Sequence, residues 1–457
     1  MECSFETRKS ELQQECIVGP DLFSKALARL SEFMKPFTAL FVRQQQRDHA
    51  EKVVSGLCSD LKRKNAESIA YHFGMDRKPI QYFIGESEWG DSAVRKELAK
   101  QISTQLGKDD GVLVFDPSAF PKSGKQSAGV ARQWCGRLGK VDNCQVGVFM
   151  GYVSSEGHAL VDGDLYLPKE WTNDKARMEE SGIPKDKQRY RNRHKMCLDL
   201  LDEHGKTLPH QWITGDDELG RPIEFRRELQ RRGETYLLAV PCNTKFIDLG
   251  SEQPDAPETD RQAARRSVRA DKWTAEQSDE AWQRVDVRDG EKGPLVVEML
   301  IQRVATGHRS KAKSSEETLV VIRYRDRDNG IAKQDYYMSN ASAGTTHTEF
   351  GRVSKAAHRV EECFDRGKGE AGMADYEVRN WVGWQHHQTL SLLASWFLNV
   401  ETRLAEKKSA CDDFQSSPTE HRVAHPSSVR MRFTPDRQTS NNSTTAQKSA
   451  RQSLPLA

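Results

Sequence analysis

Asp116 closes a short apolar run, Gly111-Val112-Leu113-Val114-Phe115, and a second run, Trp212-Ile213-Thr214-Gly215, delivers Asp216 and Asp217 in the same way. Short apolar runs bounded by turn-forming residues read as buried strands. Two such strands, with strand-like and helix-like segments between them, restrict the chain to a mixed α/β fold with acids gathered around one sheet. A third acid, Glu361, lies on a predicted helix, and Lys368 follows two turns along on the same face.

One acid from each of two strands and one from a helix can collect hard oxygen ligands around Mg²⁺. Such a set leaves coordination positions open for water and phosphate. The first expectation is therefore phosphodiester chemistry on nucleic acid, with Asp116, Asp216 and Glu361 as metal ligands and catalytic groups, and Lys368 as a phosphate contact. Each residue also has a plainer reading. An Asp after a strand is commonly a turn or helix-cap residue, and Lys368 reads equally as an exposed helix charge. Asp217 competes with Asp216 for the second position, and Glu362 shadows Glu361.

The rest of the chain supplies a frame for these acids. Residues 20–107 read as helical, because Leu27, Leu30, Phe33, Met34 and Phe37, then Val53, Val54, Leu57 and Leu61, recur at helical spacing. Arg43, Arg47, Lys52, Lys62, Arg63 and Lys64 give this region a basic surface, which suits either a DNA-binding module or a helical cap with a solvated face. Residues 108–240 form the first part of an α/β core. They hold strands at 111–115, 144–153 and 158–166, a hairpin turn at Ser154-Ser155-Glu156-Gly157, a strand at 211–215, a helix over 221–232 that stops at Gly233, and a strand at 236–240. Residues 241–350 read as a β-rich insert, with strands at 295–304, 318–324 and 336–338. A Pro/Asp/Glu-rich loop lies at 251–260, and a basic patch follows with Arg261, Arg265, Arg266, Arg269 and Lys272. Residues 351–407 complete the core with helices at 354–370 and 388–400. The Ser/Thr/Pro/Gln-rich segment 408–457 reads as a disordered tail.

The net charge is only +2, so attraction to nucleic acid has to come from local clusters. The loop Phe120–Lys140 carries Lys122, Lys125, Arg132, Arg137 and Lys140 among Gly124, Gly129, Gly136 and Gly139. It suits a backbone phosphate track and lacks the spacing of a Walker A loop. Lys185, Lys187, Arg189, Arg191, Arg193 and Lys195 occupy alternate positions, which makes a basic edge on a strand or a dispersed charge on a helix. Trp273 and Trp282, in the polar insert, either stack on an extruded base or pack beneath the insert, whereas Trp396 reads as core. Nine scattered cysteines with no close pair read as free thiols of a reducing compartment. The acidic N-terminal stretch is unlike a signal peptide and no run is long enough to span a membrane, so a soluble, cytoplasmic protein is expected.

Several blocks resemble bacterial insertion-sequence transposases of the DDE type, in the subgroup with a β-rich insert between the second Asp and the Glu. The first block is Val114-Phe115-Asp116-Pro117-Ser118-Ala119-Phe120-Pro121-Lys122-Ser123-Gly124-Lys125. It continues through Ser127-Ala128-Gly129-Val130-Ala131-Arg132-Gln133-Trp134-Cys135-Gly136-Arg137-Leu138-Gly139-Lys140 and Asn143-Cys144-Gln145-Val146-Gly147. The second is Trp212-Ile213-Thr214-Gly215-Asp216. The third is Glu361-Glu362-Cys363-Phe364, then Lys368-Gly369-Glu370-Ala371-Gly372, Tyr376-Glu377-Val378-Arg379 and Trp381 to His387. The resemblance implies a ribonuclease-H-like core with a helical N-terminal region, and two Mg²⁺ ions for which Mn²⁺ can substitute. It also implies cleavage and strand transfer on double-stranded DNA at terminal inverted repeats, within a self-associated synaptic complex. Asp116, Asp216 and Glu361 match the acid triad and Lys368 the lysine after the Glu. Where the family has an arginine and an aromatic before the Glu, this chain has Ala357 and His358, with Arg359 the nearest cation. Asp217-Glu218-Leu219-Gly220 replaces the usual small-residue turn and adds two negative charges. A related nuclease without strand transfer, or a DNA-binding protein that has lost catalysis, is the alternative.

Overall fold

The computed structural model describes residues 25–250, 267–290, 293–307, 314–325 and 330–415. The loop at 251–260, Arg261, Arg265 and Arg266, and the tail beyond Gln415 lie outside the described residues.

Five helices open the described chain: α1 (Ala26–Thr38), α2 (Gln44–Cys58), α3 (Ala66–His72), α4 (Arg77–Gly85) and α5 (Asp91–Leu106). Asn65 and Asp76 cap α3 and α4 by accepting hydrogen bonds from Ser68 N and Lys78 N, each at 2.8 Å. Pro79 lies within the region read as helical. It sits in the first turn of α4, where a helix needs no N–H from it.

The sheet begins with β1 (Val112–Pro121), β2 (Ala131–Cys135), β3 (Lys140–Ser154) and β4 (Gly157–Leu165). The expected hairpin turn is present, with Ser154 paired to Gly157. Helix α6 (Arg193–His204) leads to β5 (Trp212–Gly215), and α7 (Ile223–Arg231) leads to β6 (Tyr236–Ala239). The spatial order β4-β3-β1-β5-β6 has antiparallel pairing on the β3 side of β1 and parallel pairing through β5 to β6. This is an α/β, ribonuclease-H-like core with a helical N-terminal region.

The insert continues that sheet. Its strands are β7 (Lys245–Asp248), β8 (Val268–Arg269), β9 (Gln283–Gly290), β10 (Gly293–Gly307), β11 (Ser314–Arg325) and β12 (Ile331–Ser339). β12 pairs antiparallel with β6, so inserted and core strands form one twelve-stranded sheet. Both faces of the insert are covered, which explains the unbroken apolar run Leu319-Val320-Val321-Ile322. Leu319 and Val321 join a local cluster with Phe246 and Trp273, while Val320 and Ile322 join the main core. Trp273 is buried, with Nε1 donating to Asp248 at 2.9 Å, and Trp282 lies under the Arg323 guanidinium at 4.0 Å. In this structure both tryptophans pack beneath the insert.

Two long helices close the molecule, α8 (His347–Glu370) and α9 (Trp381–Gln415). Leu390, Leu392, Leu393, Ala394, Trp396 and Phe397 are all buried, and such all-round apolarity suits a helix enclosed on every side. Helix α9 packs against β4, α8 and the N-terminal helices, tying the helical region to the sheet. Arg29 Nε donates to Glu401 at 2.7 Å, and Arg95 Nε to Thr389 at 2.8 Å, across the same junction. Lys64 was expected on the basic surface. It is buried instead, donating to the Leu57 carbonyl at 2.8 Å and to the Glu370 carbonyl. No described helix is long and apolar enough to cross a membrane.

Candidate active site

Strand β1 runs past Asp116 to Pro121, through the segment expected to be a loop. Pairing with β3 holds it extended, in the register Asp116↔Phe149, Ser118↔Gly147 and Pro121↔Cys144. The β5 partner stops earlier, at Phe115↔Gly215. Beyond that level one edge of β1 is open, so Pro117 can occupy the strand without removing a ladder hydrogen bond on that side. The parallel register therefore brings Asp116 and Asp216 to neighbouring positions, one on each strand.

Asp216 also caps the helical turn Asp217–Gly220, accepting a hydrogen bond from Leu219 N at 3.0 Å. The cap and the site role are compatible, since a carboxylate has a second oxygen to offer. Asp217 is exposed, and its carboxylate lies 3.7 Å from Arg221.

Glu361 reaches the same cleft from α8. The helix sits close to the sheet because Gly151 of β3 has no side chain: a Cβ there would lie 2.5 Å from Val360 Cγ2. Val360 is buried and its neighbour Glu361 faces outward to the cleft rim, with its carboxylate 3.3 Å from His358 Nδ1. The cleft has a volume of about 450 Å³, and its walls include Asp116, Asp216, Asp217 and Glu361. Burial pushes the Asp116 carboxyl up to about 7, and the neighbouring charges of Asp216 and Glu361 push the same way. Burial likewise raises Asp216 to about 6, with Glu218 and Asp217 adding to it against the Leu219 N–H. Among the described residues, no hydrogen bond reaches the Asp116 carboxylate.

Lys368 points into the same region and donates to Ser118 Oγ at 2.7 Å. Burial lowers its pKa, while the Asp116 carboxylate opposes that shift. Asp116, Asp216, Glu361 and Lys368 are thus brought together. Even so, among the described residues no three His, Cys, Asp or Glu side chains stand close enough to hold an ion as they are placed.

The expected phosphate-track residues divide into two groups. Lys125, Arg132, Arg137 and Lys140 are exposed, although Arg132 and Lys140 lie on a β2–β3 hairpin where a loop was expected. Lys122 is half-buried, donates to the Tyr376 carbonyl at 3.0 Å, and is lowered to about 8 by burial. The alternating basic run lies neither on a strand nor wholly on a helix. Lys185–Lys187 form a 3₁₀ turn, and Asn192 caps α6 by accepting from Lys195 N at 2.8 Å. Lys187 is half-buried, and Arg189 is exposed. Arg191 is buried against Asp164 and Asp199, at 2.8 and 3.2 Å. Arg193 pairs with Glu218. Arg359 pairs with Glu362 at 3.0 Å, and Ala357 lines the cleft. Arg191, Arg193 and Arg359 are therefore engaged by acids, so none of the three offers a free phosphate contact as placed.

Two cleft residues, Lys333 and Asp335, and Ser118 beside the cleft were not anticipated. Ser118 orients Lys368; it shares a face with Asp116 only because β1 continues past Phe115. Lys333 and Asp335 line the cleft from β12 and lie 3.0 Å apart. Their sequence surroundings carry no local mark, because β12 reaches the site through long-range pairing with β6.

Comparison with known proteins gives the family of the chain. Over 166 residues the chain is 30% identical to a probable transposase for insertion sequence element IS701 from Microchaete diplosiphon. That stretch is 34% of this chain and 44% of the relative, so less than half of the relative's length is spanned. A cryo-EM structure of the piggyBac transposase synaptic complex with hairpin DNA superposes with a TM-score of 0.36 at 10% identity, covering 86% of this chain and 77% of that one. At that score the superposition supports no further conclusion. The family model described as DDE superfamily endonuclease matches residues 32–294, more than half of the chain, including Asp116 and Asp216 and ending before Glu361. The chain belongs to the DDE superfamily endonuclease family.

Proposed function

We propose that the chain is a DDE transposase that cleaves DNA and transfers strands at the terminal inverted repeats of an insertion sequence, working in the bacterial cytoplasm within a synaptic assembly of its own copies. The observation that carries this reading is the convergence of Asp116, Asp216 and Glu361 on one cleft from two adjacent strands and one helix. Their donor chemistry suits a hard dication. Asp116 and Asp216 are carboxylates whose charged forms burial disfavours, with neighbouring acids adding to the effect. Asp116, Asp216 and Glu361 would hold two Mg²⁺ ions, or Mn²⁺. Such ions activate the attacking water or 3′-hydroxyl and neutralise the leaving oxygen.

The remaining work belongs to the chain itself. The paired strands fix Asp116 and Asp216, and the Leu219 N–H sets the plane of the Asp216 carboxylate. Glu361, exposed at the rim, has room to swing toward the other two. Lys368, oriented by Ser118, offers its ammonium to a non-bridging phosphate oxygen. Lys125, Arg132, Arg137 and Lys140, with Lys187 and Arg189, would carry the flanking duplex by its phosphates.

A catalytically decayed DNA-binding protein is the second reading. It is favoured by Ala357 in the cleft and by the acidic turn Asp217-Glu218 beside Asp216. The test is Mg²⁺-dependent processing of a labelled duplex bearing the element's terminal repeat, with Glu361→Ala alongside. Cleavage and joining by the parent, and neither by the variant, is the expected result. Cleavage without joining would indicate a nuclease, and specific binding without any product the decayed protein.

A further inference from the structure

The β2–β3 hairpin carries an apolar face that the fold does not use. Trp134 is 61% exposed, its cross-strand partner Val141 50%, and Leu138 in the connecting 3₁₀ turn 44%. Residues directly opposite in an antiparallel pair share a face, so the Trp134 ring and the Val141 side chain form one exposed surface, with Arg132 on the same side. The opposite face is anchored, since Cys135 and Cys144 are buried in a small cluster with Val146. Gln133 reinforces that anchoring, with Nε2 donating to the Cys144 carbonyl at 3.1 Å. Gly139, at φ 60°, closes the turn in the left-handed region. Trp134 is therefore held outward on a fixed strand, and it makes no ring or cation contact among the described residues.

The surroundings of this surface are basic. Arg132, Arg137 and Lys140 are exposed on the same hairpin, and the acid beside them, Asp142, is already 3.0 Å from Lys140. The turn is close enough to the acid cleft for the Arg137 charge to act on Lys368. A second copy of a nearly neutral chain has no special reason to seek a cationic arm, whereas a polyanion has. Among polyanions, a planar indole suits the flat face of an unpaired base, and stacking of this kind tolerates any base.

We propose that Trp134, backed by Val141, is a stacking platform for an unpaired DNA base, with Arg132 and Arg137 holding the adjoining phosphates. This deepens the transposase reading and rests on it for the identity of the DNA. The platform itself is testable without catalysis.

The test uses the full chain in EDTA with two labelled probes, a 30-nucleotide oligothymidylate and a fully paired 30-base-pair duplex. Trp134→Ala is expected to weaken oligothymidylate binding roughly tenfold to a hundredfold. Duplex binding should change by less than about threefold, and Trp134→Phe should stay near the parent, because phosphate contacts rather than stacking carry duplex affinity. An unchanged thermal melt for Trp134→Ala would show that folding is intact. The proposal is overturned by unchanged oligothymidylate binding, by equal loss on both probes, or by failure of the parent to bind the single strand. It is also overturned if the substitution alters only the oligomeric state in multi-angle scattering. A parent that cleaves nothing with Mg²⁺ yet shows the selective loss would retain the platform and lose the transposase reading.

Discussion

At the scale of single residues, the site is held by charges that oppose one another. Asp116 binds its proton more tightly in the folded chain than in the unfolded one, because burial and two neighbouring carboxylates raise it from 3.8 to about 7. Its contribution to stability therefore falls as pH rises through that window. In EDTA at pH 8, Asp116→Asn should raise the stability of the fold by roughly 1–3 kcal/mol. The gain should vanish near pH 4, as read by thermal melts at both pH values. Mg²⁺ should stabilise the parent at pH 8 and have much less effect on the variant, since a ligand that binds only the folded state shifts the equilibrium toward it. Lys368→Ala should slow cleavage about a hundredfold while DNA affinity changes by less than about threefold, because the ammonium is aimed at the reacting phosphate. A matching loss of affinity in a filter-binding titration would instead make Lys368 a general DNA contact. Asp116, Asp216 and Glu361 were legible in the sequence because each ends or marks a locally periodic segment. Ser118 and Lys333 were not, since one depends on β1 continuing and the other on the pairing of β12 with the distant β6.

At the scale of elements, the largest difference from the sequence reading is β1. Pro117, Pro121 and Gly124 look locally like turn residues, and local chemistry alone ends the strand at Phe115. Pairing with the long β3 overrides that preference, and such pairing is invisible to a short window of sequence. The same limit applies to the alternating basic run at 185–195. Its period is that of a strand, yet among the described residues no strand pairs with it, and Asn192 starts a helix within it. The seat of α8 rests on Gly151. Gly151→Val would force its side chain into Val360, so cleavage should be lost, with a melting temperature several degrees lower. Parent-like activity from that variant would mean that α8 is not fixed by this contact.

At the scale of the whole molecule, the insert and the core share one sheet, and a buried ion pair joins them away from the cleft. Arg226 of α7 donates to Glu317 of β11 at 2.7 and 3.1 Å, and Tyr236 of β6 donates to the same carboxylate at 2.8 Å. Glu317 is fully buried, so Glu317→Ala leaves a guanidinium without its partner and should cost about 3–5 kcal/mol. Denaturant unfolding would measure this, and a loss below about 1 kcal/mol would show that water can replace the carboxylate. The division into helical region, α/β frame and β-rich insert was legible because hydrophobic period and composition change along the chain. The continuity of the sheet was not, since β6 and β12 are far apart in sequence. We propose that the register of β1 and β5 makes Asp116 and Asp216, with Glu361, the working acids. It is tested most directly by comparing Mg²⁺-dependent cleavage of the terminal-repeat duplex by Asp116→Asn, Asp216→Asn and Asp217→Asn. No detectable product is expected from the first two, and near-parental cleavage from Asp217→Asn. Cleavage surviving in Asp216→Asn and lost in Asp217→Asn would contradict it.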